Sequence, residues 1–516
     1  MRSLNSLRNI SYGVGGQLLS NILSFVNRTV FIYTIGISYL GITGLFSNIF
    51  SLLSLAELGV GSAISYSLYK PLAEHDIPKI QALMNLYAKS YRLIALIIAV
   101  AGLVTCPFIE YIIKDCPDIP YLKVYYLLML SSTVVSYLFT YKRTIFICDQ
   151  KAYRDTRNKY FFLILQTILQ SVSLLLLGSF TVYLLIATLA TFAANLAISY
   201  QADKAYPYIR EKAATKIDQE TKQTIVKNVI AMMMHKISGI IVYSSDNIIL
   251  SAFLGLEAVG LYSNYYLIMN IITVFLNQIF TAITASVAEL YVTGNVEQKR
   301  EVYHTIYFIN FWIVLFCSLS FYFLLNPFVT LWLGEKFLLD NLTVAVLCFY
   351  YYNQNMRHTV GTFKNTAGLY WNDRFKPIFE SVINIVSSIV LLKFFGIAGV
   401  FMGTIVSLMT TSFWVEPFIV YKHVLKMKFR FFLLDYLKYY FFSAVIFGVV
   451  FVLNSFVPSG GVIPFIIRCF ICLIVPNAMM LIMFHKSKRF KRAVSFLSPV
   501  LSKLGPLGRK IKKLGE

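Results

Sequence analysis

Apolar runs long enough to cross a bilayer follow one another along almost the whole chain, separated by short polar connections. A hydrocarbon core about 30 Å thick takes about 20 helical residues to cross. Fourteen segments reach that length: 7–36, 40–69, 84–113, 123–148, 157–178, 180–201, 225–253, 258–292, 302–329, 338–364, 375–395, 397–421, 433–455 and 462–485. The pattern predicts an all-α polytopic membrane protein, because a helix satisfies its own backbone polar groups in lipid. Several segments also carry ionisable residues at mid-membrane depth. An Arg or Lys at a helix centre costs roughly 2.5–3.5 kcal/mol to insert, so these side chains should face one another or a water-filled cavity. That is the layout of a transporter with a polar pathway inside a helical bundle.

Composition agrees with this class. Hydrophobic residues make up 58% of the chain and charged residues only 14%, with a mean hydropathy of +0.68, whereas a soluble domain carries about 25% charged residues. The formal charge of +22 would suggest nucleic acid in a soluble protein. Here the basic residues cluster in alternate connections, among them Lys151, Arg154, Arg157 and Lys159, then Lys204, Arg210, Lys212, Lys216 and Lys222, then Lys422, Lys426, Lys428 and Arg430. This asymmetry reads as positive-inside topology with both termini cytoplasmic, and no nucleic acid is expected as a partner. The start lacks a short apolar stretch with a small-residue cleavage site and reads as a retained first helix. Seven cysteines lie mostly in or beside spans without metal-ligand company, so no metal is expected and they read as apolar fillers.

An internal repeat organises the segments. Gly44-Leu45-Phe46-Ser47-Asn48 recurs as Gly260-Leu261-Tyr262-Ser263-Asn264, Arg143-Thr144 as His358-Thr359, and Ser173 to Leu177 as Ser388 to Leu392, all at a near-constant offset. Six spans separate the copies, so the halves share one membrane orientation and are related by a parallel pseudo-two-fold axis. The expected organisation is an N-terminal six-helix lobe (1–201), a cytoplasmic linker (202–224), a C-terminal six-helix lobe (225–421), two additional helices (422–485) and a basic cytoplasmic tail (486–516). The binding site is expected between the lobes. The tail mixes cations with apolar residues and reads either as a topology anchor or as an amphipathic segment on the anionic inner leaflet.

Charges inside the lobes give the candidate site. Gly13, Gln17, Asn21, Ser24 and Arg28 recur every three or four residues and form a polar stripe on the first span. The repeat carries this stripe onto Ala231, His235, Gly239, Val242 and Asp246 of the seventh. Arg28, Asp246 and Glu57 are candidates for either a fixed ion pair or a contact with substrate or coupling ion. In the tenth span Asn353, Arg357, Gly361 and Lys364 share a face with His358 alongside; Lys142 and Arg143 sit in its counterpart, and Lys236 in the seventh span adds another cation. For Lys364 the expected behaviour is snorkelling to the inner interface. The substrate-binding candidates are therefore Arg28, Lys142, Arg143, Lys236, Asn353, Arg357, His358 and Lys364, and the coupling-ion or gating candidates Glu57, His235 and Asp246. Cations outnumber the deep acids counted here, Glu57 and Asp246, which favours an anionic ligand. No catalytic residue is assigned, and no Gly-rich phosphate loop is present.

The stretch Leu52-Leu53-Ser54-Leu55-Ala56-Glu57-Leu58-Gly59-Val60-Gly61-Ser62-Ala63, followed by Tyr66-Ser67-Leu68-Tyr69-Lys70-Pro71-Leu72-Ala73-Glu74, resembles the second helix and following loop of Wzx-type polysaccharide flippases. Val259-Gly260-Leu261-Tyr262-Ser263-Asn264-Tyr265 is similar to their eighth helix. The resemblance covers the layout of essentially the whole chain and extends to the superfamily that also contains multidrug/toxin extruders and lipid II flippases. It implies a non-enzymatic flippase in the bacterial cytoplasmic membrane that turns a polyprenyl-pyrophosphate-linked oligosaccharide repeat unit to the outer leaflet by alternating access, for capsule, exopolysaccharide or O-antigen (lipopolysaccharide) assembly. No cofactor is expected beyond a proton or sodium ion for coupling. Membrane lipids, a polysaccharide polymerase and assembly proteins are the expected partners. Two alternatives stay open at this point: a multidrug/toxin extruder of the same superfamily, and an integral-membrane polymerase or acyltransferase.

Overall fold

The computed structural model describes residues 2–57, 60–114, 119–149, 151–211, 219, 223, 241–242, 244–369 and 371–501. Helices account for nearly all of this length, and the described residues contain no strand. The chain divides into two compact units, Met1–Ser263 and Asn264–Glu516.

In the first unit the principal helices are α1 (Arg2–Thr34), α2 (Ile37–Leu53), α3 (Val60–Glu74), α4 (Ile77–Thr105), α5 (Leu122–Cys148), α6 (Ala152–Leu177) and α7 (Phe180–Ala205). Helix α1 lies along α6, α5 packs on both α4 and α7, and α6 on α7. The expected second span is broken: after Leu53 the chain tightens into a 3-10 turn, Ser54–Glu57, before α3 begins. Helix α8 (Leu256–Thr293) starts in this unit, and its first turns meet α2 through Gly41 and through Gly44 and Gly260, the glycines of the repeat. A Cβ on Gly41 would lie 2.1 Å from the Leu256 carbonyl oxygen, and one on Gly260 would lie 2.7 Å from that of Ile37. Only a residue without a side chain lets two helices approach so closely.

The second unit continues with α9 (Val296–Trp332), α10 (Asn341–Met356), α11 (His358–Thr366), α12 (Lys376–Thr410), α13 (Ser412–His423), α14 (Arg430–Ser455), α15 (Val462–Phe484) and α16 (Lys488–Leu501). Its core is aromatic, with Phe311 stacked on Tyr439 at 4.2 Å and Phe308 and Phe442 against Phe484. Helix α12 contains the turn expected between spans eleven and twelve. Gly396, at φ 56°, reverses the chain, and Ser388 then donates to the Val400 carbonyl across the hairpin. The tenth span breaks at Arg357 into α10 and α11. The start of the basic tail forms α16, which packs on α9 through buried Phe490, Ala493 and Val494 and is tied down by Arg489, whose guanidinium bonds both Asp435 oxygens at 2.9 Å.

Among the described residues nine helical stretches have the length and apolarity to cross a membrane, and one of these, Lys376–His423, is the Gly396 hairpin. Their outer faces expose apolar side chains, such as Leu175, Leu176 and Leu177 on α6 and Leu434, Leu437 and Phe441 on α14, as lipid-facing surfaces do. The protein is a multi-pass membrane protein. The described residues do not establish the count of fourteen spans, because the seventh falls mostly outside them and the first, second and tenth are polar or broken.

Candidate functional site

In the first unit the polar stripe of α1 faces α6 and α7. Gln17 donates to Asn21 at 2.9 Å and accepts from the Tyr160 hydroxyl at 3.1 Å. Farther along α1, Asn27 donates to the Tyr183 hydroxyl at 3.0 Å and accepts from Ser171 at 3.2 Å. Arg28 follows within electrostatic reach of Tyr183. Its Nη1 is buried and has no hydrogen-bond partner among the described residues, and no ion pair with Asp246 or Glu57 forms there. Asp246 is buried in the helical segment leading to α8.

Glu57 occupies the 3-10 turn that breaks the second span. Tyr91 donates to one carboxylate oxygen, and Tyr137 to the other at 3.2 Å. Gly61 makes room for this cradle, since a Cβ there would lie 2.5 Å from the Tyr91 hydroxyl and 3.3 Å from Glu57 Oε1. Tyr137 and Tyr183 also line a cavity of about 510 Å³ walled by α2, the 3-10 turn, α5, α6 and α7. Its other polar lining consists of serine and threonine hydroxyls with Gln166 and Gln170.

The second unit assembles a different kind of site. Arg357, His358, Gly361 and Lys364 line a pocket of about 260 Å³ with Gln354, Thr362, Asn365 and Glu416. Glu416 is the hub. Its carboxylate receives Arg357 at 3.1 Å, Lys364 at 3.3 Å and Lys376 at 2.8 Å. Lys376 also pairs with Glu380 at 3.2 Å, and Lys364 with Asp373 at 2.5 Å. Arg357 also lies 3.7 Å from Glu380 and donates to Gln354 at 3.0 Å. His358 contacts Asn355 at 3.1 Å and stacks on Phe280.

Several sequence-based expectations change here. Lys364 does not snorkel; it is buried and bonded to two carboxylates. Asn353 does not join Arg357 in the pocket, because its amide oxygen accepts from Tyr436 and Tyr440. Lys142 and Arg143, in the first unit, are paired with Asp203 at 2.7 Å and Asp155 at 3.1 Å. The excess of deep cations over acids therefore shrinks, since Asp155, Asp203, Asp373, Glu380 and Glu416 supply countercharge that the first count omitted. Glu416, an acid followed by proline within an apolar run, was the visible signal. His235 and Lys236 lie outside the described residues.

Among solved structures the chain is similar to the lipid II flippase MurJ in an inward closed conformation, at a TM-score of 0.65 and 14% identity, covering 92% of this chain and 98% of that one. It is also similar to an inward-facing multidrug resistance MATE family transporter of the MOP superfamily, at a TM-score of 0.58 and 15% identity over 76% of this chain and 91% of the other. The MATE transporter VcmN of Vibrio cholerae aligns at a TM-score of 0.53 and 14% identity, over 83% and 99% of the two chains. The chain thus has the fold of MOP-superfamily transporters, which by their descriptions carry substrates rather than transform them. A search of curated proteins found no match. At the sequence level residues 6–285 match the family described as "Polysaccharide biosynthesis protein". That stretch is more than half of the chain, and the protein belongs to the polysaccharide biosynthesis protein family.

Proposed function

We propose that this protein is a flippase for a lipid-linked saccharide, a polyprenyl-pyrophosphate-linked oligosaccharide repeat unit, which it turns from the inner to the outer leaflet of a bacterial cytoplasmic membrane. Arg28 carries the reading. Among the described residues its guanidinium is buried without a counter-ion, an arrangement that costs several kcal/mol and is retained where a ligand brings the anion. The planar fork of Arg suits phosphate oxygens, and the hydroxyl-walled cavity of the same unit suits a saccharide. Family membership supports polysaccharide assembly as the setting, and the likeness to a lipid II flippase supports a lipid-linked cargo. Alternating access of two six-helix lobes, 1–201 and 225–421, moves the head group while the lipid tail stays in the bilayer. Both termini lie on the cytoplasmic side, and a polysaccharide polymerase receives the product. A proton or sodium ion drives uphill movement, with Glu57, Asp246 and His235 as candidate carriers. Among the described residues Glu57 is bonded through hydroxyls and not through a cation, which suits a carboxylate that exchanges its charge.

The test is leaflet exchange of a fluorescent polyprenyl-pyrophosphate oligosaccharide in proteoliposomes under an imposed ion gradient. Wild-type protein moves it, and Arg28→Ala, at equal abundance in the membrane, slows it by about tenfold or more, matching the loss of a charge-assisted contact. An Arg28→Ala rate equal to wild type rejects the assignment. Export of a cationic dye without lipid movement replaces the flippase by the extruder.

A further inference from the structure

The cavity of the first unit has a hydrogen-bonding polarity. Ser51, Ser54, Thr133, Ser136, Thr188 and Thr191 each give their proton to a carbonyl of their own stretch of chain, at distances from 2.6 to 3.1 Å. Their oxygens therefore meet the cavity with lone pairs and no proton to offer. Gln170 spends an amide proton on the Tyr183 carbonyl at 3.0 Å, and Tyr137 donates to Glu57. The protons left over among the lining residues belong to the Ser47 and Tyr183 hydroxyls and to one amide N–H each of Gln166 and Gln170. Among the described residues no Asp, Glu, Lys, Arg or His lines the space. It is a wall in which acceptor oxygens predominate and no cation stands, with the Glu57 carboxylate behind Tyr137.

Such a wall discriminates among sugars. A uronic-acid carboxylate, itself acceptor-only when ionised, would set its lone pairs against those of the hydroxyls and lose its hydration without a cation in the wall to replace it. Sugar hydroxyls and acetamido N–H groups bring donors to the same oxygens. The volume, about 510 Å³, falls within the range of about 300–1,000 Å³ that takes small ligands. It suits a short saccharide.

We infer that this cavity is a binding site for an uncharged, donor-rich sugar, so that the part of the cargo lodged in it contains no uronic acid and the anionic contact is left to Arg28. The identity of that sugar as cargo rests on the flippase reading; the binding preference does not.

Binding is measured on the full chain in nanodiscs by calorimetry, with a free N-acetylhexosaminyl disaccharide and with a disaccharide of the same length bearing a uronic acid. The neutral sugar binds about tenfold or more tightly than the acidic one. Thr133→Val and Thr188→Val keep the side-chain shape and remove the acceptor oxygen, and each weakens neutral binding about fivefold, as the loss of one hydrogen bond does. Equal binding, preference for the acidic sugar, binding of neither, or wild-type affinity in both valine variants overturns the inference. Flipping of the lipid-linked cargo separates the two proposals. Neutral-sugar preference without flipping sinks the flippase and leaves the site standing. Flipping without that preference does the reverse.

Discussion

Arg28 and Arg357 are both cations within helices that the apolar pattern assigns to the membrane, yet their surroundings assign them opposite consequences on substitution. Arg357 shares Glu416 with Lys364 and Lys376. Removing one partner of such a network leaves buried charge uncompensated, so Arg357→Ala should cost about 3–5 kcal/mol and lower the Tm of the purified protein by several degrees. Arg28 has no counter-ion to strand among the described residues, and Arg28→Ala should hold or raise the Tm. A thermal-unfolding series on both variants checks this; equal losses would mean that Arg28 has a structural partner. The sequence showed both cations, since an Arg inside an apolar run is conspicuous whatever surrounds it. It did not show that Glu380, Asp373 and Glu416 converge on Arg357 and its lysines, because those contacts join separate helices and leave no trace in a helical period. The same limit hid the acceptor wall, whose serines and threonines come from several different elements.

At the scale of elements, the apolar runs predicted most helices to within a few residues, and the turn at Gly396 fell between two of them as expected. The breaks at Ser54–Glu57 and Arg357 were less legible. The backbone leaves the α-helical path there where polar side chains have tertiary partners, and an apolar pattern carries no signal for that. The repeated glycines were visible as a motif, but the structure supplies their reason, which is close approach of α2 and α8. Gly41→Ala would drive a Cβ against the Leu256 carbonyl and should cost about 1–3 kcal/mol. Gly448→Ala, in α14 with nothing within 4 Å, should instead be neutral or stabilising by up to about 1 kcal/mol, as Ala is in a helix interior. Thermal midpoints of the two variants decide the matter, and similar values would show that α2 and α8 move apart at no cost.

For the whole molecule, the chain is a polysaccharide biosynthesis family member with the fold of MOP-superfamily transporters, and the two units divide the polar chemistry unequally. Among the described residues the first holds an unpaired cation beside an uncharged cavity, and the second holds a cluster of paired charges. That cluster also bears on how the chain enters the membrane. Arg357 and Lys364 leave the ribosome long before Glu416 does, and Asp373 and Glu380 also follow them. Until α13 is made, Arg357 and Lys364 both lack Glu416, the acid they share, and at roughly 2.5–3.5 kcal/mol for each deep cation the translocon should release the segment poorly into lipid. Its integration is therefore late and cooperative. Chains truncated before Glu416 should leave the tenth segment reachable by water-soluble thiol reagents at an engineered cysteine, and chains extended through α13 should protect it. Protection of the truncated chain would mean that the segment inserts on its own apolar residues. In this protein the order of synthesis sets when a charge can be buried.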